Sequence, residues 1–185
     1  MYIASVKSCA AFVLVPGIDR DAAMTGQSGL TVVDWHHSPV PGGFRGPEGL
    51  PMFRPPYGRI TAIDMNTGEH LWWVPIGEAS DRMKNHPALQ GVDLSGVGGG
   101  ARAVSMVTGS LLLTTRGSRG PAVLDARNKL TGELVGTAEL PAPGQYGMMT
   151  YMHEGQQYIV IQVAQGGVMQ GSLAALKLPG GDDGH

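Results

Sequence analysis

The run Gly98-Gly99-Gly100, followed by Arg102, is the stretch best equipped to meet a ligand. Glycine has no Cβ, so consecutive glycines let the backbone approach a bound group closely. An arginine just beyond offers a planar fork of donors that matches a carboxylate. The competing reading is a flexible connection followed by a solvated arginine. His36-His37, with Asp34 two residues earlier, has the residue types of a metal site. Adjacent residues of a strand point to opposite faces, however, and no second group of ligands backs them, so no metal site is expected. Arg54, in the segment MFRPPYG, stands beside Pro55-Pro56 on a stiffened loop, where it either reaches a ligand or decorates the surface. Ser105 and Ser110 lack a His and an Asp at a spacing that would activate a nucleophile. Nucleophilic catalysis is therefore unsupported.

The segment TAIDMNTGEHLWW carries residues suited to positioning rather than reaction. Ile60, Ala62 and Asp64 alternate as on a strand. Asn66-Thr67-Gly68 supplies a turn in which Gly68 takes positive φ, and His70 to Trp73 return as a second strand. Asp64 is placed to accept hydrogen bonds from turn N–H groups, and Trp72 to lay a flat indole on a neighbouring sheet. Asp64, Gly68 and Trp72 are thus read as structural. A second copy follows in AVLDARNKLTGELVG, with its Thr-Gly pair 64 residues after the first. Ala122 and Asp125 are read as its strand and acid, Thr131-Gly132 as its turn, and Glu133-Leu134-Val135 as its return. In this alignment the second turn holds about two extra residues, within Asn128 to Leu130, and Gly136 stands at the Trp position.

Hairpins repeated in this way point to repeated sheets, and the composition suits them. Charged residues are 15% of the chain, while 29 Gly and 13 Pro among 185 residues favour short strands and tight turns over long helices. Only ASDRMKNHPAL has helical character, for a turn or so before Pro87. A net charge of −2 with scattered Lys and Arg gives no basic footprint, so nucleic acid is not an expected partner. A single cysteine, Cys9, excludes an internal disulfide framework. No segment approaches the ~18 apolar residues of a membrane span. The run CAAFVLVPG, after Lys7, reads as a buried strand ending at Pro16-Gly17; a short signal-peptide core is the weaker alternative, since no cleavage context follows. The ten Met residues are expected to fill irregular core between sheets.

The expected fold is all-β, a partial β-propeller of about two to three four-stranded antiparallel blades. Strands at 2–6 and 10–15 open the first blade, and the hairpin of 60–64 and 71–76 closes it. Residues 17–57, dense in Gly and Pro, form a long irregular excursion between them, of the kind that is a binding element, a lid or a disordered segment. The second blade takes 102–107, 111–115, 122–125 and 133–140. The third has three strands, 148–152, 158–163 and 173–178, with a turn at Glu154-Gly155. Residues 180–185 form a polar, frayed tail. Fewer than three blades cannot close a ring, which takes roughly four or more. The chain, residues 1–179, is therefore expected to be the C-terminal piece of something longer.

These residues resemble the C-terminal part of pyrroloquinoline quinone (PQQ)-dependent dehydrogenases of the glucose/quinate type, eight-bladed propellers with a tryptophan-docking motif in each blade. GLPMFRPPYGRITAIDMNTGEHLWWVPIG is similar to the family segment that forms one docking hairpin. GGGARAVSMVTGSLLLTTRG is similar to the next inner strand pair, GMMTYMHEGQQYIVIQVAQGG to the last, and LAALKLP to the terminal strand. The likeness runs over residues 2–179. Three departures stand out: Met148 where the family has Pro before Met-Thr-Tyr, no His after the glycines of AQGGVMQG, and Gly136 for the second docking Trp.

The resemblance implies a periplasmic enzyme that oxidises an alcohol or sugar hydroxyl. In the family the quinone takes two electrons from the substrate, a carboxylate removes the proton, and Ca²⁺ polarises the quinone. It also places that base, the Ca²⁺ ligands and the residues that stack on PQQ in earlier blades, so this chain alone is expected to be inactive. Within the chain it implies Gly99, Gly100 and Arg102 near the propeller axis, with Arg102 facing the quinone carboxylates. The implied partners are the missing N-terminal blades, or a second copy through open edges, and a small hydroxyl substrate. The alternative is a non-catalytic propeller piece serving as a scaffold or interaction module.

Overall fold

Short strands bounded by Gly, Pro and Asn turns build most of the described chain, which in the computed structural model comprises residues 1–16, 35–40, 46–99, 103–117, 120–164 and 171–177. In chain order they are β1 (Tyr2–Val6), β2 (Phe12–Pro16), β3 (Trp35–Pro39), β4 (Gly58–Ile63), β5 (His70–Pro75) and β6 (Ser105–Val107). There follow β7 (Leu111–Thr115), β8 (Val123–Asn128), β9 (Leu134–Glu139), β10 (Gly144–His153), β11 (Gln156–Val163) and β12 (Ser172–Lys177). The one α-helix among the described residues is a single turn, α1 (Asp81–Lys84), and Pro87–Leu89 adds a 3₁₀ turn. None of the described helices is long and apolar enough to cross a membrane.

The chain forms two compact units: Met1–Lys7 with Pro55–His185, and Ser8–Arg54. In the smaller one, β2 pairs antiparallel with β3, from Phe12 opposite Pro39 to Pro16 opposite Trp35. This corrects two expectations. The 10–15 strand does not join the first blade: it takes β3 as its partner, while β1 pairs with β4, from Tyr2 opposite Ala62 to Val6 opposite Gly58. Nor is the 17–57 excursion wholly irregular, since the aromatic-rich WHHSP holds a strand inside it. The β2 run is also not buried: Leu14 is 69% exposed.

In the larger unit three antiparallel sheets follow in order: β1-β4-β5, β6-β7-β8-β9 and β10-β11-β12. The middle sheet has the four strands expected of a blade, and the outer two have three each among the described residues. Alternation along β7 explains how they pack. Leu112 joins Ile60 of the first sheet and Ile76, just past β5, in one buried cluster. The next residue, Leu113, points the other way and joins Ile161 and Val163 of the third sheet in another. The apolar run LLLTT is thus buried on both faces because its sheet lies between two others.

The repeat is better preserved than the sequence suggested. Asp64 N–H donates to Glu69 O and Gly68 N–H to Asp64 O; in the second copy Asn128 N–H donates to Glu133 O and Gly132 N–H to Asn128 O. Asp64 Oδ1 accepts from Asn66 N–H, as Asn128 Oδ1 accepts from Leu130 N–H. Gly68 and Gly132 share φ near +77°. Both copies have a bulge just before the turn, after Ala62 and after Ala126. The counterpart of Asp64 is therefore Asn128, not Asp125, and the second turn has no extra residues. An amide oxygen accepts a turn N–H as a carboxylate does, so the acid was not required.

Candidate functional site

Trp72 joins the first sheet to the second. Its Nε1–H donates to Lys129 O at 3.2 Å, and the Tyr2 hydroxyl donates to the same carbonyl at 2.8 Å. The ring lies so close over Gly132 that a Cβ there would come within 2.7 Å of Trp72 Cε3. Tyr2 packs beside the indole, ring centroids 5.7 Å apart. In the turn before Trp72, Asp64 Oδ1 accepts from Asn66 N–H and Gly68 takes φ near +77°.

Gly99 is used for packing too. Its N–H donates to Ile76 O at 2.7 Å, and a Cβ on Gly99 would sit 3.2 Å from Glu78 O. A Cβ on Gly58 would overlap Gly99 O outright. The glycines let the connection between blades cross the ends of β4 and β5 backbone to backbone. Gly100 and Arg102 lie outside the described residues, as does Asp34. Arg54 belongs to the smaller unit, and Ser105 sits on β6 opposite Thr114.

At the same strand ends opens a cleft of about 480 Å³ lined by Glu78, Lys84, Ser95, Arg116, Asp125 and Arg127 among others. Asp125, 1% exposed, enters it from the buried strand β8. Arg116 grips it with two bonds, Nε to Oδ2 at 2.9 Å and Nη2 to Oδ1 at 3.0 Å. Thr137 Oγ1 donates to Oδ1 at 2.9 Å, and Arg127 Nη2 lies 3.8 Å from Oδ2. The hydrogen bond to Asp125 pushes the Arg116 pKa further up. Burial pulls the Arg127 pKa down, against the attraction of Asp125. Lys84 reaches Glu78 at 2.9 Å. Three cations therefore face two carboxylates, and Arg127 Nε is buried without a hydrogen-bond partner among the described residues. Such a cleft suits an anion. Both Asp125 oxygens are engaged by hydrogen bonds, whereas the second carboxylate of the cleft, Glu78, is part-exposed and bonded to Lys84 and Arg116.

The sequence reading missed this cluster. Its signal was present: Arg116 ends the apolar run LLLTT, and Asp125 interrupts AVLDA, so each charge interrupts or closes a buried strand. The cleft does not fit PQQ by itself. Among the described residues no aromatic side chain lines it to stack on a quinone, and the Gly99 amide is already bonded. Among the described residues no three His, Cys, Asp or Glu gather closely enough to hold a metal ion.

Stacked antiparallel sheets of three and four strands, tied by an indole across the junction, define a piece of a β-propeller. Sequence comparison gives the kind: the family model described as "PQQ: Glucose/ethanol/alcohol dehydrogenase, beta-propeller domain" matches residues 19–159, and the chain belongs to that family. It is 35% identical over 118 residues to quinoprotein glucose dehydrogenase A of Acinetobacter calcoaceticus, a match covering 64% of this chain and 14% of that protein. To the glycerol dehydrogenase large subunit of Gluconobacter thailandicus it is 38% identical over 115 residues, covering 61% of this chain and 15% of that one. A crystal structure of quinohemoprotein alcohol dehydrogenase from Comamonas testosteroni overlaps 63% of this chain and 14% of its own, at 22% identity and a TM-score of 0.40. The matched part of this chain thus spans about one seventh of these relatives.

Proposed function

We propose that this chain supplies the C-terminal propeller blades, residues 1–179, of a PQQ-dependent dehydrogenase that oxidises an alcohol or sugar hydroxyl in the periplasm. On this reading it is inactive alone. The single observation that supports it is the family match over 19–159, joined to relatives named for glucose and glycerol of which it spans a small part. The Trp72–Lys129 junction is read as a tryptophan-docking motif that fixes one blade on the next. PQQ and Ca²⁺ are assigned to the intact enzyme, with the Ca²⁺ ligands on other blades. Gly99, Gly100 and Arg102 remain assigned to the neighbourhood of the quinone in the intact enzyme. The natural partner is the rest of the propeller.

The test is complementation. The chain alone, given PQQ, Ca²⁺ and a redox dye, is expected to show no turnover of glucose, glycerol, quinate or simple alcohols. Co-expressed with the upstream part of quinoprotein glucose dehydrogenase A lacking its own equivalent segment, it is expected to restore PQQ-dependent dye reduction. Turnover by the chain alone would overturn the reading. Association without turnover would favour the scaffold alternative.

A further inference from the structure

The repeat of 64 residues places Gly136 where the first copy has Trp72. Gly136 pairs with Ala126 across the second hairpin as Trp72 pairs with Ala62 across the first. At the first junction the indole fills the space against the next sheet. At the second there is no side chain, and a Cβ built on Gly136 meets nothing within 4 Å. The result is a groove of about 370 Å³ between the second and third sheets, walled by Leu113, Leu124, Ala126, Ile159 and Leu176. An apolar cavity of ~150 Å³ already takes up benzene, so this groove has room for a bicyclic ring.

The groove's rim is selective. Lys177 is the one charged residue among those lining the groove, and it is exposed. Gln157, also lining it, donates through Nε2 to Thr150 Oγ1, which leaves its amide oxygen as the acceptor it can offer to a ring N–H. Apolar walls, a donor-seeking oxygen and a cation at the mouth together specify an occupant. We propose that this groove binds a free indole-type aromatic acid, its ring seated where the repeat omits a tryptophan and its carboxylate toward Lys177. The inference concerns this junction alone and does not rest on the quinone reading.

Indole-3-acetate is the probe, titrated into the full chain and followed by methyl NMR. Saturable shifts are expected at Leu113, Ile159 and Leu176, with Ile60, in the cluster at the first junction, unmoved. Tryptamine, with an amine in place of the acid, is expected to bind about two- to fivefold more weakly, a difference that Lys177→Gln abolishes. Gly136→Trp should plug the groove and remove the shifts; Gly136→Leu reads the same if the larger side chain prevents folding. Shifts that persist in the plugged variant, that include Ile60 equally, or that never saturate would overturn the proposal. Equal affinity for acid and amine would overturn the role of Lys177.

Discussion

At Gly132 a Cβ would meet Trp72 Cε3 at 2.7 Å, whereas at Gly68 the same position is open, although both residues share φ near +77°. The pair separates backbone strain from packing. Gly68→Ala should cost about 1–2 kcal/mol, the usual penalty of a side chain in the left-handed region. Gly132→Ala pays that and also displaces the indole, adding about 1–3 kcal/mol of overpacking. Urea melts of the two variants check this; equal losses would mean that Trp72 does not press on the turn. Trp72→Ala should cost about 3–5 kcal/mol and Trp72→Phe less, since the phenyl keeps part of the buried area but loses the Nε1–H bond to Lys129 O. The role of Trp72 was legible because a large aromatic just after a Thr-Gly turn has few uses other than packing on a neighbour. The role of Asp125 was not. An acid near a turn reads as the turn's acceptor, although the 64-residue offset already sets Asn128 opposite Asp64, and the turn hydrogen bonds show that Asn128 holds that place.

The elements β7 and β8 carry the charged cluster at one end of the second sheet, and here a single deletion should be severe. Arg116→Gln leaves Asp125, almost fully buried, with only Thr137 and a distant Arg127 to answer its charge. Breaking such a pair from one side costs about 3–5 kcal/mol, measurable as a drop in the urea midpoint with an unchanged slope. The loop that brings Ser95 to the cleft has its own pH signature. Ser95 donates through N–H and Oγ to Asp93, and these bonds hold its carboxyl below the ordinary range. The folded pKa is the lower one, so the contribution is fully present above the unfolded value of about 4 and fades as pH falls through the folded value. Asp93→Asn should therefore flatten the stability profile below about pH 4 relative to the parent chain; an unaltered profile would count against the turn. Strands of strong β-propensity bounded by Gly and Pro were readable throughout this unit. The pairing of β2 with β3 was not, because residues on opposite sides of a long connection announce no register.

For the whole molecule the question is what satisfies the outer sheets. Among the described residues β1 pairs only with β4, and β12 only with β11, so each sheet presents an edge whose backbone groups have no strand beside them. Large apolar side chains stand exposed on the same sheets, Ile3 and Val6 on β1, Leu173 on β12, and Met149 and Met152 on β10. Edges of this kind template pairing with another chain, and exposed apolar surface favours contact. The matched segment spans about one seventh of the relatives, and on the reading proposed above the rest of a propeller covers these sheets. Without them a second copy can serve. The purified chain is thus expected to self-associate at micromolar concentration, and to dissociate when supplied with the complementary upstream blades, which compete for the same edges. Light scattering reads both steps: a mass well above 19.4 kDa for the chain alone, then a defined complex on mixing. A sharp 19.4 kDa species that melts cooperatively without a partner would mean that these edges are covered within one chain. That outcome would remove the physical reason for expecting a partner at all.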